Sequence, residues 1–139
     1  MPIPMEYQHA SEEFERFLRD AIDASGLATR NQAYTMTQGV FQVFRRRLDV
    51  GDAVKFANFI PPVLRAIFIS EWDINEPKRP FERPEVMTME VKSLRSDHNF
   101  SPDTAISDVA TALRKNVNET EFDPVLSGLS NEAVEFWRV

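Results

Sequence analysis

The chain has 139 residues with no cysteine and only two histidines, His9 and His98, a length that supports one domain with a real core and no covalent staples. Disulfides, thiol catalysis and cysteine-ligated zinc are excluded, and any zinc site would need His and carboxylates alone. Acidic side chains outnumber basic ones by 22 to 16, a net charge of −6; this argues against nucleic acid or an anionic membrane surface as partner.

The opening Met1-Pro2-Ile3-Pro4-Met5-Glu6 has neither a basic region nor an apolar run. Nothing in the chain approaches the roughly 20 apolar residues of a membrane span, so the expectation is a cytoplasmic protein with no membrane segment. Residues 1–10 read as an N-terminal arm. From residue 11 onward, apolar residues recur at helical spacing almost throughout.

Ser11, followed by Glu12 and Glu13, predicts a helix start, with Phe14, Phe17, Leu18, Ala21 and Ile22 on its buried face and Gly26 as its left-handed terminator. Thr29 and Gln32 have the spacing of a capping box. The helix they open buries Met36, Val40, Val43, Phe44 and Leu48 and ends around Asp49 to Gly51. A third helix, from near Asp52, carries Phe56, Ala57 and Ile60. Pro61-Pro62 interrupts it, because a residue before proline is pushed out of the α region and proline donates no hydrogen bond. A short helix through Val63, Leu64, Ile67 and Phe68 ends near Trp72.

Asp73 to Pro84, with three prolines among charges, reads as a linker, and Pro84 suits the first turn of the next helix, which presents Met87, Val91 and Leu94. Ser101-Pro102 predicts another start, with Ile106, Val109, Ala110, Leu113 and Val117 inward. Phe122, Val125 and Leu126 continue in a helix broken near Gly128, and Ser130 caps a last piece carrying Val134, Phe136 and Trp137. The fold class is all-α, a single domain over 11–139.

Shifting the chain against itself by 69 residues aligns Val40, Phe44, Arg45 and Leu48 with Val109, Leu113, Arg114 and Val117, and Phe68 with Trp137. The pattern implies two pseudo-repeated units, residues 11–72 and 85–139, joined by a linker at 73–84. Each unit would have two long helices and a broken third, and neither would bury its faces alone.

The run Val40-Phe41-Gln42-Val43-Phe44-Arg45-Arg46-Arg47-Leu48, then Ile60-Pro61-Pro62-Val63-Leu64-Arg65 and the closing Trp72, resembles the signature of the bacterial family catalogued as domain of unknown function 2267. Leu113-Arg114 and Leu129-Ser130 to Trp137 resemble its degenerate second copy, with Ser130 where a proline is typical. The resemblance spans about Glu13 to Trp137. It implies a two-repeat helical fold and supplies no activity, cofactor or catalytic residue.

Arg45, Arg46 and Arg47 form the longest cationic run. They suit a phosphate, nucleic acid or acidic partner, or else the negative end of a helix dipole, where Arg114 and Lys115 recur. Glu119, Glu121 and Asp123 lack the glycine a calcium loop requires, and so do Asp73 and Asn75. No catalytic, cofactor-binding or metal-ligating residue is identified, and no cofactor is expected. Phe41 and Phe59 lie off the narrow apolar stripes, while Ile69 and Trp72 follow a helix already supplied with apolar residues. Together with Arg45 and Arg46 they are the candidate partner contacts.

The reading that follows is a non-enzymatic binding or adaptor module that engages a protein or its own copy. The alternatives are a carrier for a small apolar or acidic ligand held between the two halves, and an enzyme using carboxylates or arginines alone.

Overall fold

A computed structural model describes residues 1–139. The chain forms nine α-helices and no strand: α1 (Met5–Gln8), α2 (Ala10–Ser25), α3 (Arg30–Arg45), α4 (Val50–Phe59), α5 (Pro62–Ile69), α6 (Pro84–Ser93), α7 (Ala105–Lys115), α8 (Glu119–Leu129) and α9 (Asn131–Phe136). No helix is long and apolar enough to cross a membrane.

The centre is α3. Apart from the exposed first turn and half-buried Gln32 and Tyr34, every residue of this helix is buried, polar ones included. A helix enclosed on all sides must satisfy its polar side chains internally. Two of them bond back to their own turn: the Thr35 hydroxyl donates to Asn31 O (3.1 Å) and the Thr37 hydroxyl to Ala33 O (2.8 Å). The helices α2, α5, α6 and α7 pack around α3, and α2 packs most extensively on α7. At the α3–α6 crossing Gly39 lies so close to α6 that a Cβ there would sit 3.0 Å from Val91 O.

Helix ends are set by local chemistry. Gly26, at φ 74°, closes α2 with its N–H on Ile22 O (2.8 Å), a conformation that costs other residues about 1 kcal/mol or more. The Thr29–Gln32 capping box forms in both directions, giving two of the helix's unpaired N–H groups acceptors. Ile60 and Pro61 are extended, with ψ of 157° at both, so α4 stops and α5 starts afresh with Pro62 in its first turn. The Ser130 hydroxyl accepts Ala133 N–H (3.0 Å) to open α9.

Several boundaries differ from the sequence reading. The arm at 1–10 contains the short α1, and α2 starts at Ala10 with no side-chain cap, one residue ahead of Ser11. Ser101 does not cap a helix: Asn99 Oδ1 accepts both its N–H and its hydroxyl, and α7 begins only at Ala105. Gly128 lies inside α8, which runs on to Leu129. Adding 69 to the bounds of α4 and α5 gives 119–128 and 131–138, close to those of α8 and α9. The first two helices differ between halves, with 16 and 16 residues in α2 and α3 against 10 and 11 in α6 and α7.

The core is one cluster of 29 buried residues drawn from both halves. Its middle is aromatic. Phe56 stacks on Trp137 (5.5 Å between centroids, 20° between planes), and Phe44 meets Phe56 and Phe136, each at 4.9 Å. Tilted and edge-on pairs of this kind add about 0.5–1.5 kcal/mol each beyond the area they bury. They tie α3 and α4 of the first half to α9 of the second.

Candidate functional site

The arginine run at the end of α3 disperses into three environments. Arg45 is buried; its Nη1 donates to Phe68 O (2.8 Å) and Ser70 O (3.1 Å) at the end of α5, and its guanidinium lies 5.4 Å from the Trp72 ring centroid. Arg47 is buried as well and bonds Val43 O (2.8 Å) and the Glu90 carboxylate (2.7 Å). Arg46 is half-buried and reaches the other Glu90 oxygen at 3.1 Å, which Arg79 also approaches to 2.9 Å.

Glu90, on α6, is therefore held by three guanidinium groups. Burial alone would raise its pKa, but the hydrogen bond and charge of Arg47, joined by Arg46 and Arg79, outweigh that and hold it below the usual carboxylate value. For Arg45 burial dominates and lowers the guanidinium's pKa, repulsion from Arg46 adds to this, and Glu76 opposes it.

Arg65 and Arg114 do similar work at other helix ends. Arg65 donates from Nε to Ala57 O (2.8 Å) and from Nη2 to Ile60 O (3.1 Å), giving carbonyls at the end of α4 the partners a helix terminus lacks. Arg114 donates from Nε and Nη2 to Trp137 O (3.0 and 2.9 Å). Arg45 to Phe68 and Arg114 to Trp137 both span 23 residues, so the same tie closes both halves of the chain. These arginines bind backbone carbonyls in neighbouring elements, a stronger role than meeting their own helix dipole.

Arg45, with Trp72 beside it, and Arg65 thus fix helix ends to neighbouring elements. The sequence profile of the uncharacterised conserved proteins DUF2267 matches residues 14–136. The chain belongs to this family. A search of curated proteins found no match. In this family member the motif residues make a frame, and the open chemistry lies beside it.

Of the six candidate contacts, Arg45, Arg46 and Trp72 line one small pocket together with Val50, Ile74 and Lys78. Ile69 is exposed on the outer side of α5. Phe59 is half-buried and stacks on Phe122, with centroids 5.6 Å apart and planes 2° apart. Phe41 is a correction: it is fully buried, packed against Phe68 and Trp137. It lies off the narrow stripe because α3 is buried all round, so it presents no surface of its own. Arg45, at 4% exposure, likewise presents no outer surface and is reached only through the pocket.

The largest depression, about 540 Å³, was not legible in the sequence. It runs between the start of α6, α7 and α9, within the second half and the linker end, and not along the boundary between halves where a carrier cleft was expected. Phe81, Met87, Ile106 and Phe136 supply its apolar side chains, and Glu82, Asp103, Glu132 and Glu135 its carboxylates. In the first half α2 packs directly on α5, whereas the shorter α6 and the six-residue α9 leave a gap between them.

Three of the acidic residues weighed as metal ligands have other partners. Glu119 and Asp123 pair with Arg114 at 3.7 and 3.0 Å, and Asp73 accepts Asn75 N–H in a local turn. No group of three or more His, Asp or Glu converges on a common point. His9 lies beside Glu12 near the start of α2, and His98 is exposed in a single 3-10 turn. Asp108 is buried near the start of α7, where desolvation raises its pKa against the opposing Thr104 hydroxyl bond (2.7 Å).

Proposed function

We propose that this protein is a cytoplasmic binding module, not an enzyme, and that the groove between α6, α7 and α9 receives a basic amphipathic helix from a partner protein. The observation that carries this reading is the groove's make-up, an apolar floor of Phe81, Met87, Ile106 and Phe136 beneath a lip rich in carboxylates. A helix laid in such a groove would place anchors at i, i+3, i+4 and i+7 on the floor and its Lys and Arg side chains along the lip.

Charge bookkeeping at the lip favours a cationic occupant. Arg138 is the one basic side chain lining the groove and is paired with Glu135 (2.6 Å); Asp103 is paired with Lys92. Glu132 has no ionic partner, and Glu82 stands 3.9 Å from Arg47. The chain's net charge of −6 would steer the same kind of partner toward it. The perturbed carboxylates support a non-enzymatic role: Glu90 serves the arginine frame, Asp103 has its pKa lowered by its pairing with Lys92, and the Asp108 carboxylate accepts from Thr104.

A display library of helical peptides panned on the immobilised protein tests the reading. Enriched peptides are expected to combine the i, i+3, i+4, i+7 apolar pattern with basic flanks and to lose binding to a Glu82→Lys, Glu132→Lys, Glu135→Lys variant that keeps its helical circular dichroism. Failure to enrich, or peptides that bind the charge-reversed variant equally well, would overturn it.

A further inference from the structure

The two arginines that tie the halves shut differ in how their charge is neutralised. Arg114 bonds the Trp137 carbonyl and also has two carboxylates from α8, Glu119 at 3.7 Å and Asp123 at 3.0 Å. Arg45 makes the matching bond to Phe68 O but has no carboxylate within 4.0 Å, and its Nε has no acceptor. The residues five and nine places after Arg114 are Glu119 and Asp123; those five and nine places after Arg45 are Val50 and Val54. Val50 opens α4 and Val54 lies one turn on, as Glu119 and Asp123 do in α8, and both valines are about half exposed, at 46% and 49%. The first half thus has apolar, solvent-facing side chains where the second half has the arginine's counter-ions.

A buried cation with no carboxylate in contact is costly, and the more distant Glu76, the carbonyl bonds and an aromatic face offset only part of that cost. The missing charge has a place to enter. A pocket of about 160 Å³ opens beside Arg45, with Leu48, Val50, Trp72 and Ile74 as apolar walls. Arg46 and Lys78 also line it, and so do two carboxylates. Both carboxylates are already paired with other cations: Asp49 with Lys78 (3.3 Å), and Glu76 with Arg46 and Arg79 (3.6 Å each). The volume matches that of a cavity that holds benzene, about 150 Å³.

We propose that this pocket binds a carboxylate carrying a short apolar tail, of the size of a six-membered ring or a branched four- to six-carbon chain. The carboxylate meets the Arg45 guanidinium where it lines the pocket, and the tail lies along Val50, Trp72 and Ile74. The same chemistry has two sources, a free small monocarboxylic acid or the C-terminal carboxylate of a peptide ending in an apolar residue. The pocket shares no lining residue with the groove between α6, α7 and α9, so the inference stands apart from the docking reading.

Isothermal titration calorimetry and thermal melts with benzoate, cyclohexanecarboxylate and isovalerate, each beside its neutral amide, test this on the full chain. Acids are expected to bind about ten- to a hundredfold more tightly than their amides, the range set by a charge-assisted hydrogen bond, and to raise Tm with concentration. A Val50→Glu, Val54→Asp variant supplies the carboxylates internally as the second half does. It is expected to melt higher than wild type and to lose the response to acid. Peptides ending in Val or Phe, with free or amidated termini, separate the sources: preference for the free peptide terminus over the small acids identifies a protein end, and the reverse identifies a metabolite. Absence of binding by every acid and peptide, equal binding of acids and amides, or an undiminished acid response in the double variant would each overturn the proposal.

Discussion

Replacing Glu90 with alanine removes the one carboxylate shared by Arg46, Arg47 and Arg79. The Arg47 side chain is 1% exposed and Glu90 13%, so the lost partner leaves a buried guanidinium with only the exposed Glu82, 3.9 Å away, as counter-charge. Breaking such a pair costs about 3–5 kcal/mol, and the half-exposed Arg79, which water can solvate, places this case near about 3 kcal/mol. With a urea m-value of about 2 kcal/mol per M, the midpoint falls by about 1.5 M.

The pH dependence separates charge from packing. Because the fold holds the Glu90 pKa below its ordinary value, its contribution is present above the unfolded value of about 4.3 and lost as pH falls through the lower folded value. The deficit of Glu90→Ala is therefore expected to shrink below about pH 4. An Arg47→Met, Glu90→Met double variant, which removes the buried charges together, is expected to lose less than Glu90→Ala alone. A deficit under 1 kcal/mol, or one that is constant between pH 3 and pH 7, would refute the reasoning.

Gly39→Val places a branched side chain against Val91, where even a Cβ would be 3.0 Å from the carbonyl oxygen and 3.1 Å from Cγ1; the expected loss is about 2 kcal/mol by urea denaturation, only partly relieved by Val91→Ala because the backbone contact stays. Ser130→Ala removes the hydroxyl that accepts Ala133 N–H, and about 1 kcal/mol should go with it. Asp108→Asn keeps an acceptor for Thr104. Because the fold raises the Asp108 pKa, wild type is favoured below the unfolded value of about 3.9 and loses that stability as pH rises through the folded one. The Tm of Asp108→Asn relative to wild type is thus expected to climb between pH 4 and pH 7, and a constant difference would contradict it.

What the sequence disclosed was local. The Thr29–Gln32 box, Gly26, the Pro61-Pro62 break and the Ser130 cap each depend on residues within one turn of each other, and each formed. Ser101 failed because its hydroxyl was already committed to Asn99, a competition visible only once the loop is folded. Phe41 failed because stripe logic assumes a helix with one wet face, and α3 has none beyond its first turn. Glu90 sits 43 residues from Arg47, and the groove exists because α6 is short and stands off α9. Neither is encoded at any fixed spacing. Arg45 lay between these cases: it was singled out in the sequence as a candidate contact, but its place beside Trp72 came from the fold and its lack of a contacting carboxylate from comparison with Arg114.

The pairing of α2 with α7 and of α3 with α6 means that the helices rich in buried surface find their complements across the linker. Neither segment has a closed interior by itself, so the exposed stretch at 73–80, besides the ion pairs of Glu76, Lys78 and Arg79, acts as a tether that keeps two complementary segments at high effective concentration. Cut there, the pieces would remain a noncovalent pair, and their reassembly from separate solutions would become a second-order reaction. Amide exchange in that pair would begin at the short α1 and α9 and reach the middle of α3 last.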